Sequence, residues 1–455
     1  MKINKSPWIY QLDQARTTQR LDRDLETDVA IVGAGIAGIS TAFFILRNTN
    51  QRVTILEGYK LAHGATGHNA GQVTSYFERP FSDIVLEFGL AMASDGQRAV
   101  ESAWELLDEI YTTAGLTIPL HRFPGYLGLS THEQVLVHLR NNQCRKDAGL
   151  NAENILIADD VPFLALIPAD LQPLYTTVPR KQILDFLETE DPEYVASISY
   201  QKGCLNSALF TEQVMQYLLT EYPDRCALYE HAYVGKIVLA DTSATLDVGT
   251  QTVIAKQVVL CSNGFENMTI IDHNGLELDT KFHHTIKGTV GYMSGYLETY
   301  NKPPIAISYF GRDGIPGEDD PYFYLTRRQY EYEQGTKHNL ICIGGPDQSL
   351  EDRAEYLRES DYPDVVYQSI DTFVKKTYDT DPNRKIDYQF SWHGLMGYTP
   401  NRVRLIGAEP KNPVLLYNLG CNGVGILPSI YGGKRISQIL TGEQLPPSIF
   451  DPKQS

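Results

Sequence analysis

Apolar positions in this chain follow two periods, and each change of period marks a change of element. The stretch "TDVAIVGAGIAGISTAFFILRNTNQRVTILEG", starting at Thr27, opens with a β-rich run to Val32 and passes through glycines. It continues at helical period to about Arg47, and a second β-rich run, "RVTIL", ends before Glu57. The pattern predicts a compact βαβ unit. Downstream, "FPGYLGLS" predicts a strand, and "HEQVLVHLRNNQCRKDAG" predicts an amphipathic helix ended by glycine. "QKGCLNSALFTEQVMQYLLTEY" reads as a turn leading into a helix, and "HAYVGKIVLA", "ATLDVG", "QTVIA" and "QVVLCSNG" as successive strands. "TIKGTVGYMSGY", "YFYLTRR" and "NLICIGG" have the pattern of antiparallel strands. Glu351 to Tyr378 reads as largely helical, and "NPVLLYNLGCNGVGILPSIYGGKRISQIL" as strand, glycine turn and helix.

Gly33, Gly35 and Gly38 form G-x-G-x-x-G after a strand and at the opening of a helix, with Ala34 and Ile36 between them. In that context the first glycine permits the tight turn, the second admits a pyrophosphate, and the third lets helix and strand pack closely. Glu57 follows Gly38 by 19 residues, where a carboxylate accepts hydrogen bonds from a ribose. A second glycine-to-helix turn near the C-terminus implies a cofactor domain assembled from distant segments, with antiparallel strands inserted between them. A cofactor with a nucleotide half and a bulky redox half would use both turns, which points to FAD.

With 455 residues the chain has room for two or three domains. A net charge of −17, scattered along the sequence, argues against nucleic acid and anionic membrane surfaces as partners. Val29 to Leu46 is apolar enough to suggest a membrane span. Three glycines interrupt it near its start, however, so a buried strand, turn and helix is the better reading and no membrane span is expected. The first residues lack an apolar signal core, and the six cysteines are widely spaced without a C-x-x-C pair. Both features predict a cytoplasmic protein with reduced thiols and no zinc site.

The quoted βαβ unit, together with "GATGHNAGQ", "QVVLCSNGF", "YFYLT" and "WHGLMGYTPNRVRLIG…LLYNLGCNGVGI…GGKRIS", resembles the D-amino-acid-oxidase/sarcosine-oxidase superfamily of FAD-dependent amine and amino-acid oxidoreductases. The "SPW" near the start and the "NAGQ" loop look closest to the gamma-glutamylputrescine oxidase-like branch. The resemblance implies an α/β fold: a doubly wound, Rossmann-type FAD-binding domain with an inserted substrate domain of antiparallel sheet and helices. The corresponding boundaries are 26–95, 200–268 and 389–445 for the cofactor domain, and 96–199 and 269–388 for the substrate domain.

By this resemblance the loop Gly64, Thr66, Gly67, His68, Asn69, Ala70, Gly71 and Gln72 runs along the flavin, its small residues letting main-chain N–H groups approach. Val234 brackets the adenine, Asn263 and Gly264 end a cofactor-facing strand, and Gly423, Val424, Gly425 and Ile426 turn at the pyrimidine side of the ring. His68 stands where many relatives carry arginine. Covalent attachment of FAD through His68 and a simple hydrogen bond to phosphate or backbone are both open, the first not favoured.

The resemblance also bears on substrate. Met396 occupies the position of an arginine that clamps α-carboxylates, and of a cysteine that carries flavin in some relatives. An amine is therefore favoured over a simple α-amino acid, with Arg327 or Arg328 as possible replacement clamps. Cys342 takes the place of a lysine that assists oxygen activation, leaving Lys287 as the nearest alternative cation. Tyr324 matches a pocket position where its ring can meet a cationic amine, or it is a packed core tyrosine; Trp392 reads as packing. No H-E-x-x-H, G-x-S-x-G elbow or phosphate-loop lysine is present, and the pair His283–His284 would alternate faces on a strand. The expectation is an FAD-dependent oxidoreductase that takes a hydride from the α-carbon of a small-molecule amine onto flavin N5, giving an imine. The alternatives are an amino-acid dehydrogenase using an acceptor other than oxygen, and a non-catalytic flavoprotein subunit or redox sensor. Oligomeric state is not readable.

Overall fold

The computed structural model describes residues 4–264, 268–273, 286–312, 322–333, 335–350, 356–378 and 384–452; His283 and His284 lie outside them. Among the described residues two mixed sheets carry the fold. The first is nine-stranded. At its centre Leu25–Val32 lies parallel to Val53–Leu56 on one side and to Gln251–Leu260 on the other. Val53–Leu56 continues in parallel to Cys226–Tyr229, and Leu415–Leu419 joins parallel to the end of Gln251–Leu260. These central strands are buried on both faces, which explains their unbroken apolar composition. Ala244–Val248 and Val234–Leu239 extend the sheet as an antiparallel meander.

Helix Ile36–Asn48 returns over this sheet as the predicted crossover, with every residue from Ile36 to Leu46 buried. It packs against helix Ile426–Leu440, where a Cβ at Gly433 would come within 2.7 Å of the Thr41 nitrogen. A Cβ at Gly38 would overlap the Gly33 carbonyl oxygen. Close helix–strand approach is therefore a steric requirement of this turn.

The second sheet is ten-stranded and mainly antiparallel, running from Phe390–Tyr398 through Lys287–Thr299, Thr336–Ser349, Phe323–Tyr332 and Ile305–Tyr309. It continues through His121–Leu129, Ala196–Cys204, Asn154–Ala158 and Thr176–Val178, with Gln72–Val73 pairing on Ala196–Cys204. Phe390–Tyr398 and the whole of Ala196–Cys204 belong to this sheet, although 389–445 and the part from residue 200 onward are grouped with the cofactor domain from sequence.

Three local expectations change. "QKGC" is the end of strand Ala196–Cys204, not a turn; the helix after it starts at Ser207, with Asn206 capping two backbone N–H groups. "QTVIA" and "QVVLC" form one strand, Gln251–Leu260, because Lys256 and Gln257 sit at exposed and half-buried positions without breaking the ladder. Within 351–378 the described helix is confined to Asp364–Phe373, followed by a wide turn at Val374–Tyr378. Helix His132–Asp147 does form, and Thr131 and Gln134 close its start as a capping box. Among the described residues no helix is long and apolar enough to cross a membrane.

Candidate functional site

A cavity of about 560 Å³ is lined from both sheets. Two helices begin at its wall: Ile36–Asn48 behind Gly35, and Ile426–Leu440 behind Gly425. Each directs its first turn and the positive end of its dipole to the same space. At the first, the Ile36 N–H donates to Thr66 Oγ1 at 2.9 Å, and a Cβ at Gly35 would come equally close to that hydroxyl. Gly33 has φ +104°, open to glycine, and its N–H donates to the Leu56 carbonyl at 2.8 Å.

Glu57 closes this end. Its carboxylate accepts from the Ala34 and Tyr59 N–H groups, each at 2.8 Å. Burial nonetheless pushes its pKa up. Each oxygen keeps lone-pair capacity for a further donor. Nearby, Ser262 Oγ is buried on the cavity wall without a partner among the described residues, an orphan that a bound molecule would satisfy. Val234, Asn263, Gly423 and Val424 also line the cavity. Asn263 is held at φ +67° with its Oδ1 accepting from the Cys421 N–H at 2.9 Å.

The loop 64–72 divides its residues between two faces. Gly64, Thr66, His68, Asn69, Ala70 and Gln72 line the cavity, whereas Gly67 and Gly71 do not. A Cβ at Gly67 would overlap Ile9, and one at Gly71 would come within 2.8 Å of the Trp8 ring. The small residues thus serve the N-terminal segment as well as the cavity. Asn69 staples the loop: its Nδ2 donates to the Thr66 carbonyl (3.0 Å) and Ser207 Oγ (2.9 Å), and its Oδ1 accepts from the Gly71 N–H (2.8 Å). His68 Nδ1 lies 2.9 Å from the Gly64 carbonyl, so Nδ1 carries the proton and Nε2 keeps its lone pair. Burial lowers the pKa of His68 to about 4, leaving it neutral at physiological pH.

Part of the cavity wall is aromatic and carries a carboxylate. Tyr324 and Met396 line it as expected, together with Tyr76, Tyr322, Tyr398 and Glu78. The Tyr322 hydroxyl donates to Glu78 Oε1 at 2.7 Å, while burial raises the pKa of Glu78. Glu78 abuts the second helix turn, where a Cβ at Gly423 would come within 2.6 Å of its carboxyl carbon. Ala34, Gly38 and Gly264 do not line the cavity; a Cβ at Gly264 would meet Ile286 at 2.5 Å, a packing contact.

The cations proposed from sequence lie elsewhere. Lys287 is exposed at the start of its strand and does not line the cavity. Cys342 is enclosed in the core. Arg327 is bound by both Glu188 oxygens and the Tyr378 hydroxyl, and the Arg328 guanidinium lies 5.1 Å over the Trp8 ring. The arginines that do line the cavity are Arg358, Arg402 and Arg404. Of these Arg404 is committed to Asn418 and Gly420, holding the turn before the second helix.

Sequence reasoning missed Tyr76, Glu78 and the buried Lys202. A signal existed for the first two: Gln72, Thr74, Tyr76 and Glu78 alternate in sequence, and all four line the cavity. Lys202 was hidden by a polar run read as a turn. Its side chain is fully buried, with Nζ 3.2 Å from Ser308 Oγ and 3.4 Å from Gln72 Oε1.

The sequence profile of the family described as "FAD dependent oxidoreductase" matches residues 28–439. OrdL of Haemophilus influenzae, named as an oxidoreductase, is 18% identical over 428 residues, covering 93% of this chain and 85% of that protein. A shorter stretch of 93 residues is 31% identical to YhfW of Bacillus subtilis, named for a Rieske 2Fe-2S cluster; it spans 20% of this chain and only 18% of that protein. Among solved structures, glycine oxidase from Geobacillus kaustophilus superposes with a TM-score of 0.65 at 16% identity, covering 94% of this chain and 99% of that one. L-proline dehydrogenase from P. horikoshii superposes with a TM-score of 0.64 at 13% identity, covering 92% and 94%.

Proposed function

The chain belongs to the FAD dependent oxidoreductase family, and from that premise we propose that it oxidises the C–N bond of an amine or amino-acid derivative to an imine. The observation that carries this reading is the convergence of two helix N-termini and Glu57 on one cavity that is also walled by tyrosines, Met396 and Glu78. The residues present fit FAD: a Cβ-free turn at Gly33 and Gly35, a ribose-accepting carboxylate, an orphan hydroxyl at Ser262 and a second helix turn at Gly423 to Ile426. Bound FAD would supply the two-electron acceptor.

The chain's own groups do the rest. Gly35, Ile36 and Thr66 would hold the pyrophosphate, Glu57 a ribose, and Val234 the adenine side. The N-terminus of Ile426–Leu440 would favour negative charge on the ring. Tyr324 and Tyr398 would present aromatic surface to an amine. Met396, an apolar side chain at the expected carboxylate position, suits an amine or a substrate whose carboxylate is remote or blocked. FAD is held without a covalent bond in this reading; His68 Nε2 is the atom that a bond would use.

Relatives named as a glycine oxidase and an L-proline dehydrogenase share the fold, in keeping with an amine-nitrogen substrate. An acceptor other than oxygen is a second reading, supported by the exposed Lys287 and the enclosed Cys342. Incubation of the FAD-loaded protein in air with a panel of amines and amino acids, with the carbonyl product trapped by a hydrazine reagent, tests the main reading. Carbonyl formation with peroxide supports an oxidase. Carbonyl formed only with an added dye supports a dehydrogenase, and no carbonyl from any compound contradicts the proposal.

A further inference from the structure

Lys202 is an unusual residue to find where it is. It is 0% exposed, on a strand paired with both His121–Leu129 and Gln72–Val73. Among the described residues no carboxylate forms an ion pair with it. Its slot is built for it: a Cβ at Gly125 would overlap Lys202 Cδ and come within 2.8 Å of its Cβ. The amine is met by Ser308 Oγ at 3.2 Å and Gln72 Oε1 at 3.4 Å, with the rings of Tyr200 and Tyr76 at 5.2 and 5.9 Å. Ser308, Gln72 and Tyr76 all line the cavity, so Nζ stands one hydroxyl behind its wall.

We propose that Lys202 is the terminal acceptor of the proton that a cationic amine substrate sheds before oxidation, the proton passing through the Ser308 hydroxyl. The inference rests on the amine reading above. Amines are ammonium ions in neutral water, and an ammonium nitrogen has no lone pair to assist cleavage of the α-C–H bond. In the step, a substrate N–H bond breaks and its electron pair stays on nitrogen. Ser308 Oγ takes that proton and passes its own to the lone pair of Nζ, which becomes an ammonium. No electron changes hands and the charge moves inward by one residue.

The groups facing Nζ suit both states. Tyr76, Tyr200, Ser308 and Gln72 are neutral dipoles, and Glu78 is the charged group that favours the protonated form. Glu153 lies farther back, acting on Tyr76 and Tyr200. Burial lowers the pKa of Lys202 to about 7 against the pull of Glu78. The amine is thus neutral often enough at physiological pH to accept a proton.

Two measurements on the FAD-loaded protein test this. In the first, the 13Cε resonance of Lys202 is identified by its loss in Lys202→Met and followed with pH. It is expected to titrate near neutrality; a lysine that stays charged to about pH 9 overturns the proposal. In the second, anaerobic flavin bleaching by an n-alkylamine series, methylamine to hexylamine, is followed against pH. Lys202→Met and Ser308→Ala should each move the rising limb of the fastest amine upward by about 2 pH units, toward the amine's own pKa. Ser308→Thr should restore the wild-type limb, and FAD content should be equal in all. An unchanged limb in Lys202→Met overturns the relay. A wild-type protein that no amine bleaches, with Lys202 still titrating near neutrality, would remove the amine reading and the relay with it.

Discussion

The indole of Trp8 lies on Gly71 so closely that a Cβ there would come within 2.8 Å of ring carbon Cζ2, while Trp8 Nε1 donates to the Asn69 carbonyl at 2.6 Å. Gly71 also has φ +68°, in the left-handed region. The N-terminal segment therefore braces loop 64–72 from behind, helped by the Ser6 hydroxyl on the Gly67 carbonyl. Trp8→Ala should cost about 3–5 kcal/mol, and Gly71→Ala should be destabilising through both strain and overlap. Thermal unfolding and FAD release on dilution would check this; both variants should release FAD faster than the wild type.

Gly38 makes a sharper demand. Because its Cβ would overlap the Gly33 carbonyl oxygen, Gly38→Ala must separate helix Ile36–Asn48 from the turn that it caps. The ratio of flavin to protein absorbance should fall to near zero while the second sheet still folds. Glu57→Gln, which keeps shape but removes charge, should weaken FAD binding by about tenfold, or ~1.4 kcal/mol.

The pocket tyrosine can be separated from the core tyrosines by kinetics. Tyr324→Phe keeps the ring against Gly344, where a Cβ would come within 2.5 Å of the hydroxyl, and removes only that hydroxyl. Flavin content should hold, and kcat/KM for the best amine should fall by about tenfold, ~1.4 kcal/mol of transition-state stabilisation. An unchanged kcat/KM would return Tyr324 to the role of a packed core residue.

His138 sets a pH dependence of stability. It is half-buried, with Nε2 shielded from solvent and unpartnered among the described residues, and burial lowers its pKa to about 4. An unfolded histidine titrates near 6.5, so between about pH 4 and 6.5 the unfolded chain binds more protons. Stability must therefore rise with pH across this window and be lost as pH falls through it. The loss from this group is on the order of 1–3 kcal/mol. His138→Gln should flatten that part of the profile in chemical denaturation.

The βαβ unit and both glycine turns were legible because their signals are local: a period change, a glycine at fixed offset, an acid at the strand end. The residues of the aromatic wall were not, because they come from distant strands. Ser308 and Tyr324 are register partners across Ile305–Tyr309 and Phe323–Tyr332, a relation that no spacing reveals. Lys202 was missed for a different reason. A lysine beside glutamine and glycine looks like a solvated turn, and only Gly125 on the neighbouring strand makes room for it. The same blindness misplaced the cation at Lys287, whose motif is strand-like but whose side chain points to solvent. Loop 64–72 was read as facing one partner, when Gly67 and Gly71 answer to Ile9 and Trp8.

One visible spectrum decides whether this chain is an amine-oxidising flavoprotein. The purified protein, incubated with FAD and freed of excess, is recorded in the visible range without oxygen before and after addition of the amine and amino-acid panel. We expect a yellow protein with about one FAD per chain, bleached by at least one amine and coloured again when an acceptor is admitted. Acid precipitation of the same sample should release the colour to the supernatant; colour in the pellet would assign a covalent bond to His68. A protein that stays colourless with FAD, or a yellow one that no compound bleaches, would contradict the account.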